Sequence, residues 1–137
     1  MKNYLGIDYG TRRIGLALNM ASLAEPFLVI TNKISEKDQL ISDNALSEII
    51  KICQEKKIDE IVLGISEAAM ALKIKDFAKL LGKEVVLPIT MVDETLSSYE
   101  VGRKMKEANF SLKKRQEPID HYSAALILED FLENLPL

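Results

Sequence analysis

The chain holds one cysteine, Cys53, and one histidine, His121. A lone cysteine excludes an intrachain disulfide and any cysteine-based metal cluster. A lone histidine, set directly beside Asp120, leaves no material for a Ser-His-Asp arrangement. No apolar run approaches the roughly 20 residues that span a bilayer. No signal-peptide cleavage pattern precedes the first strand-like segment. Such a chain is expected to be cytoplasmic, with no membrane association. Internal repeats, low-complexity tracts and linkers are missing too, so a single domain over residues 1–137 is expected. The net charge of −3 argues against a strongly basic nucleic-acid coat protein.

What is present is an ordinary globular composition, 47% hydrophobic and 28% charged, long enough to bury a proper core. The charge is unevenly spread. Between Arg103 and Arg115 six bases face Glu107 alone, and no Lys or Arg follows from residue 117 onward. A basic stretch beside an acidic one can hold a phosphate backbone next to a metal site; a solvated loop followed by a helix reads the same way.

The stretch around which the chain is organised runs from Leu5 to Asn19. Two apolar runs, Tyr4 to Ile7 and Ile14 to Leu18, read as strands joined by a tight turn in which Gly10 is expected to take a positive φ. Asp8 closes the first run. A carboxylate there needs a compensating cation, a hydrogen-bonded turn or a neighbouring Arg, and capping of the turn at Gly10 or Thr11 is the simplest of these.

A third strand is expected over Pro26 to Thr31, with Pro26 at its first position after a connection over Ala21 to Glu25. Asn32 to Leu40 reads as a polar loop. Leu46, Ile49, Ile50 and Cys53 then follow helical spacing, with Ser42 or Asp43 as N-cap and Cys53 as a small core residue. Ile58 to Ile65 ends in the near-continuous apolar run of a central strand. Met70, Ile74, Phe77, Ala78 and Leu81 carry a second helical stripe, with Gly82 as terminator. Val85 to Val92 reads as a strand in which Pro88 marks a bulge or an edge. A third helix is expected where Ser97 and Glu100 have capping-box spacing, then a basic loop over Asn109 to Glu117. A last helix is expected from Asp120 to Leu132, its buried stripe formed by Ala124, Ile127, Leu128 and Phe131. This order makes an α/β domain with a mixed five-stranded sheet and helices on both faces.

Acids fall at element ends: Asp8 on the first strand where its apolar run closes, Asp93 and Glu94 at the end of the last strand, Asp120 at the start of the last helix. Asp120 shares the apolar stripe of that helix, which turns it towards the sheet. An N-cap role for Asp120 and a helix-dipole role for Asp93 and Glu94 account for the same residues. Hard oxygen donors from separated segments also suit Mg²⁺ or Mn²⁺. Two such ions about 4 Å apart would serve phosphodiester hydrolysis. His121 reads as a partly exposed residue at the helix start that could orient water or touch phosphate.

Four motifs together resemble the YqgF/RuvX group, which is associated with Holliday-junction resolution and with maturation of the small-subunit ribosomal RNA precursor, and which has an RNase H-like fold. They are Gly6-Ile7-Asp8-Tyr9-Gly10-Thr11-Arg12-Arg13-Ile14-Gly15-Leu16-Ala17, Val62-Leu63-Gly64-Ile65, Val92-Asp93-Glu94-Thr95-Leu96-Ser97-Ser98, and Ile119-Asp120-His121-Tyr122-Ser123-Ala124-Ala125-Leu126-Ile127-Leu128. The first alone also opens sugar kinases and actin-like ATPases, but those close two related domains over a nucleotide. The resemblance implies a metal-dependent nuclease with Asp8, Glu94 (or Asp93) and Asp120 as the catalytic, metal-binding acids. It further implies that Arg12, Ser97 and Ser98 lie near the phosphates of a structured RNA or branched DNA, which Lys113, Lys114 and Arg115 would help to neutralise. The protein would act as a monomer or homodimer.

The chain departs from the group's pattern in three places. Asn19-Met20 stand where Ser-Asp is usual, Gly64-Ile65-Ser66 leads into a shortened segment where Gly-Leu-Pro and a glycine-containing loop are usual, and Thr95 replaces the Arg after the acidic pair. The acids survive, while one phosphate-binding charge is lost. A binding module without catalysis is the alternative these departures suggest.

Overall fold

The structure, a computed structural model, describes residues 1–65, 70–93 and 120–136, with Asp120 described by its backbone alone. Its elements are β1 (Tyr4–Asp8), β2 (Arg13–Met20), β3 (Leu23–Thr31), α1 (Asp43–Glu55), β4 (Glu60–Ile65), α2 (Ala71–Val85), β5 (Ile89–Asp93) and α3 (Asp120–Glu133). The sheet order is β3-β2-β1-β4-β5. β2 is antiparallel to β1 and β3, whereas β1, β4 and β5 are mutually parallel. The helix expected around Ser97 and Glu100, and the basic loop, lie outside the described residues.

β1 is central and buried along its whole length. Its side chains alternate between two cores, as the two-residue period of a strand requires. Leu5 and Ile7 join Leu16, Ile49, Leu63 and Phe77 in the larger core, covered by α1 and α2. Tyr4 faces the other way, with Ala17, Val62 and the Ala124, Ile127 and Leu128 stripe of α3. Helices therefore cover both faces.

Several local details differ from the sequence reading. β3 starts at Leu23, so Pro26 sits within it. The register shifts between Leu16 and Ala17, leaving Phe27 as an extra residue, and proline is tolerated because this is an edge strand with a bulge. Helix α2 runs through Gly82 to Val85, and the left-handed residue after it is Val86, at φ 51°. Val85 and Leu87 pack against the larger core from this side, so β5 begins only at Ile89. Pro88 stays outside the ladder, and its carbonyl accepts from the Ile61 N–H at 2.9 Å. No described glycine has a positive φ. Gly10 is required for another reason: a Cβ there would stand 2.5 Å from the Arg13 carbonyl oxygen.

Ser42 is the N-cap of α1, accepting from the Ala45 N–H at 3.1 Å. On that helix Ala45, Ile49, Ile52 and Cys53 are buried, while Leu46 and Ile50 are half-buried. Asn19, one of the departures noted above, clamps the chain start: its Oδ1 accepts from the Tyr4 N–H, and its Nδ2 donates to the Lys2 and Ala21 carbonyls.

Candidate active site

The carboxyl ends of parallel strands gather at one edge of an α/β sheet, and here that edge carries Asp8 and Asp93. Asp8 is 6% exposed. Its neighbours in register are Gly15 on β2 and Gly64 on β4. Neither flanking strand puts a side chain of its own beside the carboxylate, and the room over Gly64 is taken by Ile127 of the last helix, α3. Asp8 shares this face with Tyr4 and Gly6 of its own strand, the face that α3 covers.

Small residues let α3 lie close. A Cβ on Gly6 would stand 2.9 Å from the Leu128 Cβ and 3.0 Å from the Ala124 carbonyl, and one on Gly64 would run into the Ile127 side chain. The same contacts fix the helix direction. Phe131 meets Tyr4 edge-on with ring centroids 5.3 Å apart, while Leu128 and Ala124 lie over Gly6. Residue numbers therefore rise along α3 as they fall along β1. From Phe131 back to Asp120 the helix covers about 16 Å. From Tyr4 to Asp8 the strand covers about 13 Å. The N-terminal end of α3, with the Asp120 backbone, thus comes to the Asp8 end of β1. The positive end of the helix dipole at this edge favours bound anions.

Asp93 ends β5 but belongs to the opposite face. It is level with Ile65, one residue beyond the Gly64 that flanks Asp8, and alternates with Ile89 and Met91, which pack against the larger core. Two strand spacings, about 10 Å, also separate β5 from β1. Asp93 is exposed, and it does not converge with Asp8. Glu94, Ser97, Ser98, Lys113, Lys114 and Arg115 lie outside the described residues. Among the described residues no three Asp, Glu, His or Cys side chains come together.

Arg12 is exposed in the turn between β1 and β2, at the same edge as Asp8. What holds this turn comes from residues distant in the chain. Asn32, 3% exposed, donates from Nδ2 to the Gly10 carbonyl at 3.3 Å and to the Leu40 carbonyl at 3.1 Å, and accepts from the Ser42 N–H at 2.8 Å. Its own N–H donates to the Arg12 carbonyl at 2.7 Å. Tyr9 adds a second tie: its hydroxyl donates to the Leu40 carbonyl, and its ring stacks on Phe77 at 4.5 Å. Burial pushes the Tyr9 phenol above its ordinary pKa. These partners are 8 to 31 residues apart in the chain, so no short motif announces them. His121 is half-buried at the helix start, its ring tilted against Tyr122 at 4.3 Å.

This architecture is that of the RuvC-type resolvases, a branch of the RNase H fold. The solved Thermus thermophilus RuvC superposes with a TM-score of 0.61 at 14% identity, covering 95% of this chain and 93% of that one. The fowlpox virus Holliday junction resolvase gives 0.55 at 12% identity, with 98% and 99% covered. At such identities the likeness concerns the fold alone.

Sequence comparison is more specific. Residues 2–134 match the RuvX family, described as Holliday junction resolvase, and the chain belongs to that family. It is 35% identical to the "Putative pre-16S rRNA nuclease" of Koribacter versatilis, over 94% of this chain and 85% of that protein. The protein of the same name from Oleidesulfovibrio alaskensis is 33% identical, with 97% and 92% covered. No described helix is long and apolar enough to cross a membrane.

Proposed function

We propose that this protein is a divalent-metal-dependent endonuclease that hydrolyses phosphodiester bonds in the small-subunit ribosomal RNA precursor, with Asp8, Glu94 and Asp120 as its acids. The observation that supports this reading is the antiparallel course of α3 over β1, which carries its first residue to the strand end occupied by the buried Asp8. The name borne by the relatives points to the same substrate.

The chemistry of the donors fits a hard cation: Asp8, Glu94 and Asp120 are all carboxylates, and Asp8 is a buried one at the strand end that the start of α3 approaches. Asp8, Glu94 and Asp120 would hold Mg²⁺ or Mn²⁺, which when bound supplies an activated water and stabilises the leaving oxygen. Glu94 is chosen over Asp93 because Asp93 stands on the other face of the sheet. The protein's own contribution is placement. Asp8 is anchored on the central strand, and Arg12 sits on a turn pinned by Asn32, where its guanidinium would meet a backbone phosphate. Lys113, Lys114 and Arg115 would neutralise further phosphates.

A branched-DNA substrate is the second reading, favoured by the family description. The test offers a pre-16S rRNA fragment and a four-way DNA junction side by side, with Mn²⁺ or Mg²⁺ and with Asp8→Asn as control. Cleavage of the RNA that is lost in the variant supports the proposal, and cleavage of the junction alone moves it to DNA. Retained binding without cleavage of either leaves a binding module.

A further inference from the structure

The outer strand of the sheet, β3, has no partner strand on its far side among the described residues. One hydrogen bond shows which of its backbone groups face outward. Asn32 donates its N–H to the Arg12 carbonyl, and residues 12 and 32 stand opposite one another in the register that pairs Arg13 with Thr31. Directly opposed residues of an antiparallel pair alternate between bonded and non-bonded. With 12 and 32 bonded, the Ile14/Ile30 and Leu16/Leu28 pairs are bonded too. Val29 and Thr31 then turn their N–H and C=O groups away from β2, in the alternate spacing that an added strand uses. The other half of this edge is blocked by Pro26 and the bulge at Phe27, two common guards against stray pairing. The half from Leu28 to Thr31 carries neither.

Beside that open half is a cavity of about 590 Å³, lined by Val29 and Thr31 on the strand, by Lys33, and by Ser42, Asp43 and Glu48 at the start of α1. A strand residue fills about 160 Å³, from its 3.3 Å rise, the 4.8 Å strand spacing and the 10 Å layer spacing. The cavity therefore suits roughly four residues of extended chain. Its wall sets the charge of the occupant. Asp43 and Glu48 are both exposed carboxylates on α1, against the single ammonium of Lys33.

We propose that this edge binds an extended peptide of a partner protein, added antiparallel or parallel to β3 along Val29 to Thr31, with Lys or Arg side chains directed at Asp43 and Glu48. The inference is independent of the nuclease reading. It is tested on the full chain with a short acetylated peptide of alternating Lys and Val, against its Glu and Val counterpart. Amide exchange and fluorescence anisotropy are the readouts. The basic peptide is expected to bind and to slow exchange of the Val29 and Thr31 amides, leaving Ile30, whose N–H is already bonded to β2, unchanged. Combined Asp43→Lys and Glu48→Lys substitution, at exposed positions that do not threaten the fold, is expected to weaken binding about tenfold or more. Val29→Pro removes an outward N–H without removing a bond to β2 and is expected to abolish binding. Equal binding of both peptides, or binding indifferent to the charge reversal, would overturn the proposal. So would self-association through this edge with no uptake of peptide.

Discussion

The two faces of the sheet are built from different residues. On the α1 and α2 face, β1, β2 and β4 present Leu5, Ile7, Leu16 and Leu63, which interlock with Ile49, Ile74, Phe77 and Leu81. On the α3 face the same strands present Gly6, Gly15, Ala17 and Gly64, with Tyr4 and Val62 as their only large members in its core. Large side chains bury area, and that face supplies most of the hydrophobic stabilisation. Small ones bury less but admit a helix at close range, and that face carries Asp8. One face chiefly holds the fold together, while the other holds a helix end in place.

Four substitutions separate these roles. Phe77→Ala removes a fully buried ring from the large-residue face and is expected to cost about 3–5 kcal/mol of stability, read by denaturant unfolding. Asp8→Asn should do the reverse, leaving the unfolding midpoint nearly unchanged while cleavage falls at least about 100-fold. Loss of groups that merely orient a metal ligand already costs about 10–100-fold, and a direct ligand should cost more. Unchanged turnover would remove Asp8 from the site. Gly64→Ala should couple the two effects, because the added methyl collides with Ile127 and pushes α3 outward. A loss of about 1–3 kcal/mol is expected, with cleavage falling further than a surface substitution of equal stability cost. If activity merely follows stability, close packing of α3 is not what positions the site. Val86→Gly, away from both faces, should stabilise by about 1 kcal/mol, because Val86 is 84% exposed and held at φ 51°.

A pH-dependent check addresses the large-residue face. Burial in α1 raises the Cys53 thiol to about 11 from 9.0. The neutral thiol is thus favoured in the folded protein. Its contribution to stability is complete below pH 9 and is lost as pH rises towards 11. At pH 8 the folded protein should hold about 100-fold less Cys53 thiolate than the unfolded chain. Alkylation by iodoacetamide should be slower by at least that factor.

Much of this was legible in the residues themselves. The five strands and the three described helices follow from apolar runs and hydrophobic periods, which are local. The edges of elements were less legible. Gly82 carries a terminator's signal, yet the helix continues because Val85 and Leu87 find core beyond it. Pro26 signals a strand start, yet the strand begins earlier because an edge needs no inward N–H at every position.

The candidate site divides the same way. Local pattern by itself marked Asp8, the Asp93-Glu94 pair and Asp120 as acids at element ends, and motif order identified the family. Which acids share a face was decided by tertiary structure. Strand alternation and parallel register put Asp93 on the far side of the sheet from Asp8. The meeting of β1 with the start of α3 depends on Gly6 of β1 and Gly64 of β4, and the pinning of the Arg12 turn depends on Asn32, 22 residues from Gly10. Hydrophobic period acts between neighbours in the chain, so it can be read along the chain. Close approach and register act between segments far apart in sequence, and only the folded sheet brings them together.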